Sequence, residues 1–412
     1  MTADDPAGEP TPQQWPSNAR RNISVYGPVG LYSVGVGAIT PVVPLTATSL
    51  GASVALAAVT VGLSGLGTIA GDVPAAALVS RFGDRIVLLC AAAVSAVSLA
   101  ICAVTPQWWL LAAAMFVNGL SAAVFNQARQ SYLIGVTPPA RRATALSVFG
   151  GTNRIGLLVG PFLGAVAITA GGIRAPFWVA LVCTVLAAII TIAAVPIHQG
   201  LTQKTSTTVR PLQFVVQHRQ VFLTLGLGVL LLGAARAVRV TALPLWSEHI
   251  GMSAGTTSVV FGFAGLVESS LFYPAGRLMD RVGRLWVAVP STLVLAGGLV
   301  FLPLTHSLGA LLVCALVIGL GNGVGAGIVM TIGADAAPAD EMNRFIGIWR
   351  MMTDTGVAIG PFLVTFGTAL AGLAWGIVTG GSAGLAAALI FACWLPRWSP
   401  YARSPRRSPG SG

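Results

Sequence analysis

The chain has 412 residues, of which 55% are hydrophobic and only 8% charged, with a formal net charge of +11. Its mean hydropathy is +0.82. Soluble domains carry about 25% charged residues, so this is a polytopic membrane protein. The basic excess does not mark a nucleic-acid binder, because the arginines sit in short gaps between apolar runs and form no basic face with interleaved aromatics.

In chain order, residues 1–22 read as a polar cytoplasmic tail, without the basic start, short apolar core and cleavage site of a signal peptide. Twelve apolar segments then reach the roughly 20 residues that a bilayer-crossing helix needs. They are 24–47, 53–79, 86–104, 108–135, 144–170 and 175–197, then 221–247, 254–279, 285–304, 308–334, 344–370 and 374–395. The stretch 198–219 between the two sets of six is the longest polar gap, and 397–412 is a basic tail. Trp108, Trp109, Trp178, Trp286, Trp375 and Trp394 fall near expected span ends, where aromatic belts form.

The basic residues fix an expected orientation. Arg20, Arg21, Arg81, Arg85, Arg141, Arg142, Lys204, Arg210, Arg219, Arg277, Arg281, Arg284, Arg344, Arg397, Arg403, Arg406 and Arg407 flank one side. Arg174 stands alone on the other. Positive charge stays inside, so both termini are expected in the cytoplasm, in a multi-pass protein of a bacterial cell membrane. Cys90, Cys102, Cys183, Cys314 and Cys393 all lie in apolar runs with no metal-site spacing, and read as free thiols.

The chain repeats itself at an offset of 200. Pro44-Leu45 meets Pro244-Leu245, Gly51 and Ser53 meet Gly251 and Ser253, and Gly65-Leu66 meets Gly265-Leu266. Pro74-Ala75 meets Pro274-Ala275, Gly119-Leu120 meets Gly319-Leu320, and Gly160-Pro161-Phe162-Leu163 meets Gly360-Pro361-Phe362-Leu363. One register therefore relates two parallel six-helix halves, 23–197 and 220–396, in an all-α membrane protein.

With that repeat, "GRLMDRVGRL" (Gly276 to Leu285) is similar to the signature between the second and third helices of major facilitator superfamily transporters. Gly276, Asp280, Arg281, Gly283 and Arg284 match; the first-half copy has Ala76 for the glycine and Ser80 for the aspartate. The resemblance covers about residues 22–396. It implies a secondary transporter with alternating access, spans 3, 6, 9 and 12 outermost, and spans 5/8 and 2/11 adjacent across the halves. The signature glycine is expected to let helices approach, and Asp280 to latch one end of the cavity against an arginine or a helix N-terminus.

"GLLVGPFLG" resembles the span-5 antiporter motif of drug–proton exporters, through Gly156, Gly160, Pro161 and Gly164. Ser147 and Ala165 replace two further glycines of that motif, and Met115 occupies the position of the usual span-4 arginine. The same small residues also make an ordinary helix-packing face, since span 11 repeats much of it.

Charged residues inside spans are functional candidates. Glu268, then Asp354, then Asp72 are the candidates for proton coupling. Depth along the helices suggests pairs between halves: Arg154 lies ~18 Å from Arg142, and Glu268 lies ~18 Å from Asp280. The expected pairs are Arg154–Glu268 and Asp72 with Arg350 or Asp354, either moving with transport or static. Arg129, mid-depth beside Asn126 and Gln130, together with Arg236, Asn118 and Asn322, are the expected cavity residues. Arg239 is expected to snorkel to the interface. Asn118 and Asn322 serve interhelical hydrogen bonding equally well.

Enzyme motifs do not hold. "GGSAG" and "GLGTIA" lie inside expected spans, and there is no Walker loop, so the chain itself uses no ATP and needs no cofactor. The resulting expectation is a monomeric exporter of a small organic molecule, working by proton antiport. Uptake of a nutrient or organic anion by symport or facilitated diffusion is the alternative, and a non-transporting sensor the third reading.

Overall fold

The computed structural model describes residues 18–137, 142–194, 211–338, 341–399 and 401–402. The described chain is helical, with eleven helices long and apolar enough to cross a bilayer, or twelve when one bent pair counts as a single span. Span 1 is that pair, Asn18–Ile39 and Val42–Ser49, bent by 42° at Thr40-Pro41.

Spans 2 to 6 are Val54–Phe82, Asp84–Val104, Trp108–Val136, Arg142–Gly171 and Ala175–Ala194. Span 7 runs from Arg219 to His249 through a π turn at Phe222–Gly226. Spans 8 and 9 are Ala254–Val282 and Leu285–Phe301. Span 10 is broken into Leu308–Val324 and Ile328–Ala336, and spans 11 and 12 are Met342–Ala371 and Leu373–Trp398. Glycine-rich "GNGVGAG" accounts for the break: glycine gains nothing from helix and tolerates other backbone.

Two element boundaries differ from the sequence reading. Span 1 begins at Asn18, inside the expected tail, and a short helix Pro211–Gln217 occupies the end of the expected linker. Residues 1–17 and 403–412 and most of that linker, with Lys204 and Arg210, lie outside the described residues.

The internal repeat is visible in the backbone. The described glycines with positive φ come in pairs 200 apart: Gly51 and Gly251, Gly83 and Gly283, Gly172 and Gly372. Ser53 and Ser253 cap spans 2 and 8, each accepting a backbone N–H three residues on. Spans 1–6 pack among themselves and so do spans 7–12. The halves meet along two main seams, span 2 with span 11 and span 5 with span 8.

The seams are tight at the end away from the 195–210 linker, here called the hairpin end. A β-carbon on Gly62 would fall 2.7 Å from the Phe362 ring, and one on Gly262 would fall 2.7 Å from the Phe162 ring. These are the same contact, related by the repeat. Thr48 and Glu248, themselves equivalent positions, meet on the pseudo-twofold axis, the threonine hydroxyl donating to the carboxylate at 2.8 Å. Thr365 also donates across the seam to the Ala55 carbonyl at 3.2 Å.

Towards the linker end these contacts cease. β-carbons on Gly150, Gly151, Gly276 and Gly347 would meet nothing within 4 Å. Asp72, Pro74 and Ala76 on span 2, and Phe272, Tyr273 and Pro274 on span 8, are exposed there. The halves are joined at the hairpin end and splayed at the linker end.

Candidate functional site: a polar cluster at the seam of the two halves

The cluster is built from the second half. Arg239 on span 7 donates from Nη1 to Glu268 Oε2 on span 8 at 2.8 Å, with both side chains largely out of solvent. Asn322 on span 10 is in hydrogen-bonding reach of the same carboxylate. Packing forces this closeness: a β-carbon on Gly323 would fall 2.7 Å from the Glu268 carbonyl oxygen. Arg236 donates from Nη2 to the Gly325 carbonyl at 2.7 Å. That carbonyl lies in the break of span 10, where it also accepts the Ile328 N–H at 3.2 Å, so the guanidinium takes its second lone pair. The guanidinium therefore caps a broken helix.

Arg154 approaches from the first half. The expected direct Arg154–Glu268 pair is not formed: Arg239 holds the carboxylate, and the Arg154 guanidinium lies over the Phe272 ring at 3.8 Å from its centroid. Phe272 stands one helical turn from Glu268 on the same face of span 8, so it intercepts the incoming cation. Arg154 and Arg236 remain within electrostatic range of Glu268. Three guanidinium groups thus surround one carboxylate. Arg236 Nε, Arg239 Nε and Asn322 Oδ1 are buried without hydrogen-bond partners among the described residues. Arg239 does not snorkel, since its helix end lies ten residues away, ~15 Å.

The equivalent positions of the first half are Val36, Ile39, Thr68 and Ala122. The cluster therefore breaks the symmetry of the scaffold that carries it.

The other seam is acidic. Asp354 lies one turn from Arg350 on span 11, and Asp72 on span 2 is within electrostatic range of both. No ion pair within 4 Å joins them among the described residues. Asp72 and Arg350 are exposed and Asp354 is half-buried. The repeat explains the polarity: Arg154 and Asp354 are equivalent positions of opposite sign, as are Asp84 and Arg284.

Several expected site residues sit differently. Asn118 faces span 3, where its Oδ1 accepts from the Ser95 hydroxyl at 2.7 Å, so it is a packing residue rather than a cavity residue. Arg129 is seven residues, ~10 Å, from the linker end of span 4, not at mid-depth. It is 5% exposed, between Phe125 and Phe149. Asn126 is exposed and Gln130 half-buried beside it.

The signature loop does not latch the halves here. Asp280 is 66% exposed and accepts from Arg284 within its own loop at 2.8 Å. The buried Arg284 also donates to Asp335 on span 10 at 3.2 Å, and Asp335 accepts from Ser399 after span 12. Arg281 is exposed, Gly283 takes φ +97°, and among the described residues a β-carbon on Gly276 would meet nothing within 4 Å. The span-5 motif packs inside its own half. β-carbons on Gly156, Gly160 and Gly164 would fall 2.6 Å from Ser33 Cβ, 2.5 Å from the Val34 carbonyl and 2.8 Å from the Ala38 carbonyl. Pro161 lies within that continuous helix.

Two helical halves, joined at one end and splayed at the other with a polar cluster at mid-seam, have the architecture of a membrane transporter. The sequence profile of the Major Facilitator Superfamily matches residues 29–271 and again 225–411, so the chain belongs to that superfamily. It is similar to the uncharacterized MFS-type transporter MJ1560 of Methanocaldococcus jannaschii, 20% identical over 81% of this chain and 87% of that one. The multidrug resistance protein MdtH of Proteus mirabilis is 24% identical over 72% of each chain. Among solved structures, a bacterial homolog of the human lysosomal transporter Spinster, inward-facing and unoccupied, superposes with a TM-score of 0.79 at 13% identity. It covers 94% of this chain and 100% of that one.

Proposed function

We propose that the protein is a secondary exporter in a bacterial cell membrane, moving a small organic molecule with an acidic group outward in exchange for protons. The observation that carries this reading is the arginine-rich wall: Arg154, Arg236 and Arg239 around the single Glu268, with unpartnered donors at Arg236 and Arg239. A guanidinium presents a planar fork that matches a carboxylate, and in a low-dielectric site that match is strong. The multidrug resistance relative supports the outward direction. The positive-inside bias supports a cytoplasmic linker, tails and opening, so that substrate loads from the cytoplasm.

In this reading Asp72 and Asp354 form the facing acidic wall and exchange the protons. The loop of Gly276, Asp280, Arg281, Gly283 and Arg284 latches the linker end when the hairpin end opens. The working unit is a monomer of two six-helix halves, 23–197 and 220–396.

One observation favours proton symport instead. Glu268 competes with a substrate anion for Arg239, so a proton on Glu268 frees the guanidinium, and proton and anion then bind together. Binding of a fluoroquinolone carrying a carboxylate and an amine tests the arginine wall. Arg236→Gln/Arg239→Gln is expected to lose at least tenfold in affinity for it and little for its carboxamide analogue. Equal losses for both compounds contradict the reading.

A further inference from the structure

Arg129 is buried, cationic and without an acidic partner among the described residues, and it lies apart from the cluster that carries the transport reading. Its guanidinium carbon lies over two rings, with the Phe125 centroid 5.0 Å away and the Phe149 centroid 5.7 Å away. Aromatic faces attract a cation but offer its N–H groups no oxygen acceptor. They leave the N–H groups at its edge free to donate. One of these, Nη2, is fully enclosed and has no hydrogen-bond partner.

Beside it stands Tyr32 of span 1, 5% exposed and packed on Phe125 at 4.5 Å between ring centroids. The Tyr32 hydroxyl is within electrostatic range of Arg129 and in reach of Ser95, and among the described residues it has no partner at full hydrogen-bond geometry. Its polar neighbour Ser95 directs its own proton to Asn118. Two donors without well-placed partners therefore lie together where spans 1, 4 and 5 meet.

Burying a charge without a partner costs several kcal/mol, and an unmade hydrogen bond adds to that cost. No ion pair of Arg129 offsets it among the described residues. A bound anion would. We infer that Arg129 and Tyr32 form a second oxyanion site in the first half, taking a carboxylate-type group in the plane of the guanidinium. Phe149 is the wall through which such a group enters. It is half-buried and adjoins Gly150, whose surroundings are open at the linker end. Enclosure by three helices excludes a lipid headgroup.

The site is independent of Arg236 and Arg239, so its test can fail while the transport reading stands, and the reverse. Purified protein in neutral detergent without added lipid is melted in low-salt buffer, with sodium acetate or sodium chloride added at equal ionic strength. Acetate is expected to raise the melting temperature by about 3 °C more than chloride. Arg129→Met reduces that difference, the remainder belonging to the Arg236–Arg239 wall, and melts no lower than wild type in anion-poor buffer, because an unpaired buried charge has gone. Tyr32→Phe reduces the difference, and Arg236→Gln/Arg239→Gln retains the part of it that Arg129 carries.

Where Arg129→Met does not fold, Arg129→Lys serves, since lysine keeps the charge without the planar fork. Acetate affinity by calorimetry then falls at least tenfold. An undiminished acetate shift in Arg129→Met overturns the inference. So do equal shifts in acetate and chloride, loss of the shift in the Arg236/Arg239 variant, and undiminished affinity in Arg129→Lys.

Discussion

At the residue scale, the Arg239–Glu268 pair is the strongest contact in the cluster. Removing one partner of a largely buried pair leaves the other charge uncompensated, and that costs more than the pair itself contributes. Glu268 faces three guanidinium groups, so Glu268→Gln is the change that leaves charge uncompensated, and it should destabilise the protein by roughly 3 kcal/mol, read as a lower melting temperature in detergent. The double variant Arg239→Gln/Glu268→Gln should recover much of that loss. Additive losses would show that the two side chains act separately. This pair was hidden in the sequence for a specific reason. Counting residues from a helix end fixes depth but not which neighbour faces which, and Arg239 and Arg154 reach Glu268 at similar depths from opposite sides. Only the tertiary arrangement places Phe272 under Arg154. The charged positions themselves were legible, because charge inside an apolar run is unusual enough to stand out.

At the element scale, small residues decide which helices touch. A β-carbon on Gly262 would press into the Phe162 ring at 2.7 Å, whereas one on Gly276 meets open space. Gly262→Val should thus weaken closure of the hairpin end and slow transport at least tenfold, while Gly150→Ala should leave folding near wild type. Transport assays and size-exclusion profiles of the two variants check this, and equal tolerance of both would contradict the seam described here. Most spans could be read from hydropathy to within a few residues. The breaks could not: span 1 bends at Thr40-Pro41 and span 10 opens between Val324 and Ile328. Hydropathy is blind to both, because Gly and Pro interrupt hydrogen bonding without making a segment polar. The glycine crowding in "GNGVGAG" was the available signal. It matters for the site, since the Gly325 carbonyl that Arg236 reaches lies in that break.

At the scale of the molecule, the offset of 200 residues accounts for the architecture. It predicts paired glycine turns, paired caps and reciprocal seam contacts, all of which the structure contains. It also explains why the two seams differ in charge, since equivalent positions carry Arg154 and Asp354. The contact of Thr48 with Glu248 on the pseudo-twofold axis marks the closed end. With native cysteines replaced, a short bifunctional thiol cross-linker between Thr48→Cys and Glu248→Cys should arrest transport, and reduction of a cleavable linker should restore it. Unimpaired transport in the cross-linked protein would mean that this end need not open.

The central claim is outward movement of an acidic organic molecule against protons. Its most direct measurement is uptake into proteoliposomes under an imposed pH gradient of either polarity, with the same fluoroquinolone as probe. Exchange predicts accumulation when the lumen is the acidic side, with loss of that accumulation in Asp72→Asn/Asp354→Asn. Accumulation only when the outside is acidic, and its loss in Glu268→Gln instead, would contradict the claim and establish symport.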